Sequence, residues 1–150
     1  MSIERSLVIL KPGVLQRHLV GEVIKRLEMA SLKIVGMKLI KISKELAEEQ
    51  YAEHKGKVFY EPLIEYMTSG PVIVMAVEGE NAIHVIRKLA GATNPIDALP
   101  GTIRGDYALI TKKNVIHASD SRESAQRELA LFFKEEEIVE YELPDEQWVI

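Results

Sequence analysis

The chain has 150 residues and a formal net charge of −4. That length suits one domain with a real core, and the acidity argues against nonspecific nucleic-acid binding, which needs a strong positive field. Cysteine is absent, which excludes disulfides and thiolate metal sites and fits a reducing compartment. The opening, MSIERSLVILKPG, carries a charge pair before a short apolar run, with neither a signal-peptide core nor transmembrane length. A single soluble, cytoplasmic domain over 1–150 is expected, with no membrane partner and no specific nucleic-acid partner.

In chain order, SLVILK (6–11) is a short apolar run stopped by Lys11-Pro12-Gly13, which predicts a buried strand and a turn. Val20, Val23, Ile24, Leu27 and Ala30 recur at helical spacing, so an amphipathic helix follows. KIVGMKLIKI (33–42) is rich in β-branched residues and predicts a second strand. Ser43 is placed to cap a helix whose early turns hold Glu45, Glu48 and Glu49, and which is expected to carry Tyr51 and His54. A shorter helix over 61–71 has Pro62 near its start and Gly70-Pro71 as its stop. VIVMAV (72–77) is apolar throughout and predicts a central strand. The helix at 81–91 has Asn81 as its expected cap, with Ile83, Ile86 and Ala90 inward and Gly91 at its end.

From Thr93 to Asp106 the periodicity disappears, and a long functional loop is expected. NVIH then predicts a short strand. A last helix follows, with Ala125, Leu129, Phe132 and Phe133 on its buried side. The acidic tail carries Tyr141 and Trp148 and is expected to pack on a surface, including that of another subunit. With the extra helices set aside, the order is β-α-β-β-α-β. This is the α+β, ferredoxin-like plan: a four-stranded antiparallel sheet covered by helices, here expected on one face.

No G-x-x-x-x-G-K-[ST] is present, and no G-x-G-x-x-G follows a strand, so the usual phosphate-binding motifs are missing. His18, His54, His84 and His117 are far apart, and no ligand cluster points to a protein-held metal. Taken singly, the polar residues have ordinary readings: Lys11 as a strand-end charge, Arg87 and Arg104 as solvated surface, His117 as a hydrogen-bonded strand-end histidine. Topology favours a joint reading. Lys11 ends the first strand and His117 the last, so their ends can approach. The loop that delivers Thr93 and Arg104 leads into the His117 strand. A histidine among a lysine and two arginines suits phosphoryl transfer, because the cations stabilise the phosphoryl oxygens.

NVIHASDS (114–121) resembles the active-site signature of nucleoside diphosphate kinases, N-x-x-H-[GA]-S-D. LVILKPGVLQRHLVGEVIKR resembles the family's opening strand and helix. YAEHKGKVFYEPLIEYMTSGPVIVMAVEGENAI resembles its middle, and RKLAGATNPIDALPGTIRGDYA its Pro-Gly loop. The likeness spans nearly the whole chain.

What this resemblance implies is a nucleotide-binding phosphotransferase working by a ping-pong mechanism. The γ-phosphate of a nucleoside triphosphate such as ATP would pass to the δ1 nitrogen of His117, and then to a nucleoside diphosphate. By the same match Glu128 would orient the ring, with Ser119 supporting it, and Lys11 and Tyr51 would act nearest the transferred group. Lys11, Tyr51, Arg87, Thr93 and Arg104 would bind phosphates, and Asn114, with Lys11, the sugar 3′-hydroxyl. Phe59 would stack on the base, with Leu63 beside it. Mg²⁺ would arrive on the nucleotide phosphates, with no protein cage. The resemblance further implies a homohexamer, with a homotetramer as the alternative. Gly13 stands where the family has aspartate, which bears on the turn that places Lys11. Thr111 stands where an apolar residue is usual near the base. A non-catalytic ferredoxin-like module is the competing class, and the joint presence of so many site residues speaks against it.

Overall fold

The computed structural model describes residues 2–149. Its elements are β1 (Ile3–Leu10), α1 (Val20–Met29), β2 (Lys33–Lys41), α2 (Lys44–Gln50), α3 (Tyr60–Met67), β3 (Pro71–Glu80), α4 (Ala82–Ala90), α5 (Ile103–Tyr107), β4 (Ile116–Ala118) and α6 (Arg122–Phe132). The four strands form one sheet in the order β2-β3-β1-β4. Each adjacent pair runs antiparallel. The expected ferredoxin-like plan is the architecture found.

Helices cover both faces of this sheet, which corrects the one-face expectation. Leu7, Ile9, Val72, Val74 and Ala76 pack with residues of α2, α3 and α6. Val8, Leu10, Ile73, Met75 and Val77 pack with residues of α1 and α4. Side chains alternate across a strand, so a strand buried on both sides must be apolar at every position, as 72–77 is. Full burial of each aliphatic chain contributes about 1.5–3 kcal/mol.

Three local expectations also change. Asn81 sits at the N-cap of α4, but with φ +53° and no side-chain cap bond. Instead, the Ile83 N–H donates to the Glu4 carboxylate, from β1. The 93–106 stretch is not wholly irregular, since a 3₁₀ turn (Pro95–Asp97) and α5 interrupt it. Helix α2 ends at Gln50, and His54 closes a separate 3₁₀ turn. Ser43 does cap α2, accepting from the Leu46 N–H. The tail returns to the free edge of β2, where the Val139 N–H donates to the Val35 carbonyl. Trp148 stays exposed.

Candidate active site

The site is organised where β1 and β4 meet. Ile9 lies opposite His117 and Leu10 opposite Ile116. Beyond the strand ends the pairing continues, because the Lys11 N–H donates to the Val115 carbonyl at 2.9 Å. Val115 has φ +74°, and the Ile116 N–H reaches back to the Asn114 carbonyl at 2.8 Å. This is a γ-turn centred on a β-branched residue, a strained arrangement costing on the order of 1–3 kcal/mol. Val115 is buried and packed among core residues, which holds the turn. Through it the Asn114 side chain meets Lys11, whose Nζ donates to Oδ1 at 2.6 Å.

On the other side of Lys11, Gly13 takes φ +100°, a conformation glycine adopts without strain. The Tyr66 hydroxyl donates to the Pro12 carbonyl there. Glycine in this turn therefore leaves Lys11 within the site. Burial pushes the Lys11 ammonium down to about 7, and the Arg104 charge adds to this.

His117 is held from the opposite side of the sheet end. Its Nε2 lies 3.1 Å from Glu128 Oε1. The Ser119 hydroxyl donates to the same oxygen at 2.6 Å, while accepting from the Leu7 N–H. Burial pushes the Glu128 carboxyl up, but hydrogen bonds from His117, Ser119 and Gln50 outweigh it and leave it below its ordinary value. An ionised carboxylate only accepts, so in the neutral ring Nε2 carries the hydrogen and Nδ1 the lone pair. Glu128 lies mid-helix in α6. Ser121 caps that helix, accepting from the Ser124 N–H.

Arg104 is clamped by three main-chain carbonyls: Nε to Asn114, Nη1 to Gly91 and Nη2 to Ile116. It is buried, not the surface charge its single-residue reading suggests. Burial pushes its guanidinium down to about 10, with the Arg87 charge contributing. Arg87 donates to the Ala118 carbonyl, and Asn114 Nδ2 to the Thr93 carbonyl.

One cavity of about 610 Å³ collects Lys11, Tyr51, Phe59, Leu63, Arg87, Thr93, Arg104, Asn114, His117 and Glu128. Ser119 stands behind this wall, touching Glu128. The Tyr51 ring meets that of His117 edge-on, with centroids 6.2 Å apart, and its hydroxyl is buried with no partner among the described residues. Burial, and then the Glu128 charge, push that hydroxyl's pKa up. His54 stands between Tyr51 and Phe59, 5.1 Å from the Phe59 ring. Gln50, Thr111 and Lys112 also line the cavity. Gln50 escaped the sequence reading; its only signal is a polar side chain three residues after Ala47, on the buried face of α2.

Among the described residues no three acids or histidines are grouped to hold a metal. The cavity's cationic groups are Lys11, Arg87, Arg104 and Lys112, a donor set for anions. A cation bound here would therefore be held by the oxygens of an anionic ligand.

The nucleoside diphosphate kinase family profile matches residues 4–138. The chain is similar to the nucleoside diphosphate kinase of Archaeoglobus fulgidus, 58% identical over 97% of each chain. It is 62% identical to that of Methanocaldococcus jannaschii, over 90% of this chain and 96% of the relative. Among solved structures, a halophilic nucleoside diphosphate kinase from Halobacterium salinarum in complex with CDP superposes with a TM-score of 0.96. It is 45% identical over 99% of both chains. A family protein from Babesia bovis superposes at 0.94, with 39% identity over 98% of this chain and 99% of that one.

Proposed function

The chain belongs to the nucleoside diphosphate kinase family, and from this premise we propose that it carries phosphate between nucleotides through Nδ1 of His117. The activity is phosphotransfer from a nucleoside triphosphate to a nucleoside diphosphate. In the first half-reaction the Nδ1 lone pair attacks the γ-phosphorus. An N–P bond forms, the bond to the β-phosphate oxygen breaks, and the nucleoside diphosphate leaves with that electron pair. The second half-reaction reverses these events onto the β-phosphate of a different nucleoside diphosphate. The observation that carries this reading is the 3.1 Å contact of Nε2 with Glu128, which leaves Nδ1 as the nucleophile.

Lys11, Arg87 and Arg104 supply positive charge to the phosphate oxygens. Tyr51, with its unpartnered hydroxyl, donates to the group in transit. Thr93, at the cavity wall, assists phosphate binding. Asn114 and Lys11, already paired, reach the sugar 3′-hydroxyl. Phe59 stacks on the base beside Leu63. Mg²⁺ comes held by the nucleotide phosphates and neutralises their charge. No described helix is long and apolar enough to cross a membrane, and a cytoplasmic location goes with the nucleotide substrates. Ile96 and Leu99 lie exposed on the Pro-Gly loop, and Met37 and Leu39 on β2. These apolar side chains support self-association, which we read as a homohexamer with the homotetramer as the alternative, and mass by light scattering decides between them.

Incubation with γ-labelled ATP and Mg²⁺ should leave an acid-labile, alkali-stable label that added GDP discharges. His117→Ala should take no label and lose on the order of 10⁴-fold or more in turnover. An unlabelled wild-type protein, or equal label on the variant, would overturn the reading in favour of a non-catalytic module.

A further inference from the structure

Gln50, the last residue of α2, is almost completely buried beside the nucleophile. Its Nε2 lies 2.9 Å from Glu128 Oε2 and 3.4 Å from His117 Nε2. Its Oε1 has no hydrogen-bond partner among the described residues. The orientation of the amide follows from the chemistry. Glu128 is ionised and can only accept, so the amide must turn its NH₂ toward Oε2. The opposite orientation would set two acceptors against each other. The contact with His117 Nε2 is not a hydrogen bond, because both nitrogens carry hydrogen.

The two carboxylate oxygens therefore have separate donors. Oε1 receives Ser119 and His117, and Oε2 receives Gln50. Arg127 is the other group near Oε2, at 3.9 Å and largely exposed. An apolar side chain of the same size would fill this space without stranding a buried carbonyl. Such a side chain would, however, leave Oε2 without this buried donor.

We propose that Gln50 is a positioning residue for phosphotransfer: by donating to Glu128 Oε2 it locks the carboxylate against the Nε2 edge of His117, and so keeps Nδ1 free for phosphate. Without this donor the carboxylate can rotate about its terminal bond or take up a proton, and either change releases the ring tautomer. The inference rests on the phosphohistidine reading of the site.

Gln50→Met and Gln50→Leu both delete the donor at nearly constant volume. Each should slow phosphorylation of His117 about tenfold, with kcat falling more than KM rises. Nitrogen NMR of the His117 ring above neutral pH should move from a single Nε2–H form in the wild type to a mixture of tautomers. In a Glu128→Gln background, Gln50→Met should cost almost nothing more, since there is no carboxylate left to hold. A wild-type ring spectrum in both variants, or an undiminished loss in the Glu128→Gln background, would overturn the proposal. Absence of phosphate from His117 in the wild-type protein would instead overturn the reading on which it rests, so the two failures are distinguishable.

Discussion

At the His117 end of the cavity, Lys11, Gln50, Arg104, Asn114, Ser119 and Glu128 are each at least nine-tenths buried. At the far end Phe59 is 49% exposed and Val58 98% exposed, and Thr111 is open to solvent. The first end is organised before any substrate arrives: its charges are aimed by main-chain carbonyls, a strained turn and a carboxylate network. The second offers one aromatic face and little that could read a base edge. On the function proposed above, rate would come from the preorganised end, whereas a stacking platform would accept any base with a π face.

The comparison is tested most severely at Arg104. Arg104→Lys keeps the charge but cannot serve three carbonyls at once, and turnover should fall on the order of 10²-fold. Steady-state kinetics with near wild-type turnover would show that aim is unimportant at this end.

Lys11 gives a second test. Its pKa falls from the ordinary 10.5 to about 7, through burial and then Arg104. Between these values the unfolded chain holds a proton that the folded chain has released. Stability of the free protein should therefore rise with pH through this window, by up to about tenfold in the folding constant per pH unit, and level off above it. Chemical denaturation from about pH 7 to just above pH 10.5, the two pKa values themselves, should show that rise in the wild type and a flatter profile in Lys11→Met. Equal slopes would remove Lys11 as the cause.

At the open end the effects should be smaller and should fall on binding. Phe59→Ala should raise KM about tenfold for purine and pyrimidine substrates alike, with kcat nearly unchanged. A loss confined to one base would mean that this end discriminates after all. Thr111→Val should change kcat/KM by no more than about twofold, the scale of an exposed substitution. A larger change would place a specific hydroxyl contact there.

Much of this was legible along the chain. The unbroken apolar run at 72–77 marked a central strand, and the Ser43 cap was visible from its neighbours. The asparagine and histidine of NVIHASDS marked the β4 end of the site. Less legible were features made by residues distant in sequence. The cap acceptor for α4 is the Glu4 carboxylate rather than the Asn81 side chain, because β1 lies alongside and offers a better-placed carboxylate. Arg104 looked like surface because its three acceptors are main-chain carbonyls, which no sequence pattern displays. Gln50 went unmarked, because nothing near it in sequence shows that Glu128 lies beside it.

Local order determined the elements, their succession and the residue types that carry the chemistry, since periodicity and capping act over a few residues. Only the tertiary structure decided how Nε2 of His117 is held against Glu128, that helices cover both sheet faces, and that Lys11 is buried. These outcomes depend on contacts such as Gln50 to Glu128, 78 residues apart, and Leu7 to Ser119, 112 apart. Burial and hydrogen-bond partnership are properties of the packed chain. The sequence supplies the groups, and the packing decides their protonation and their aim.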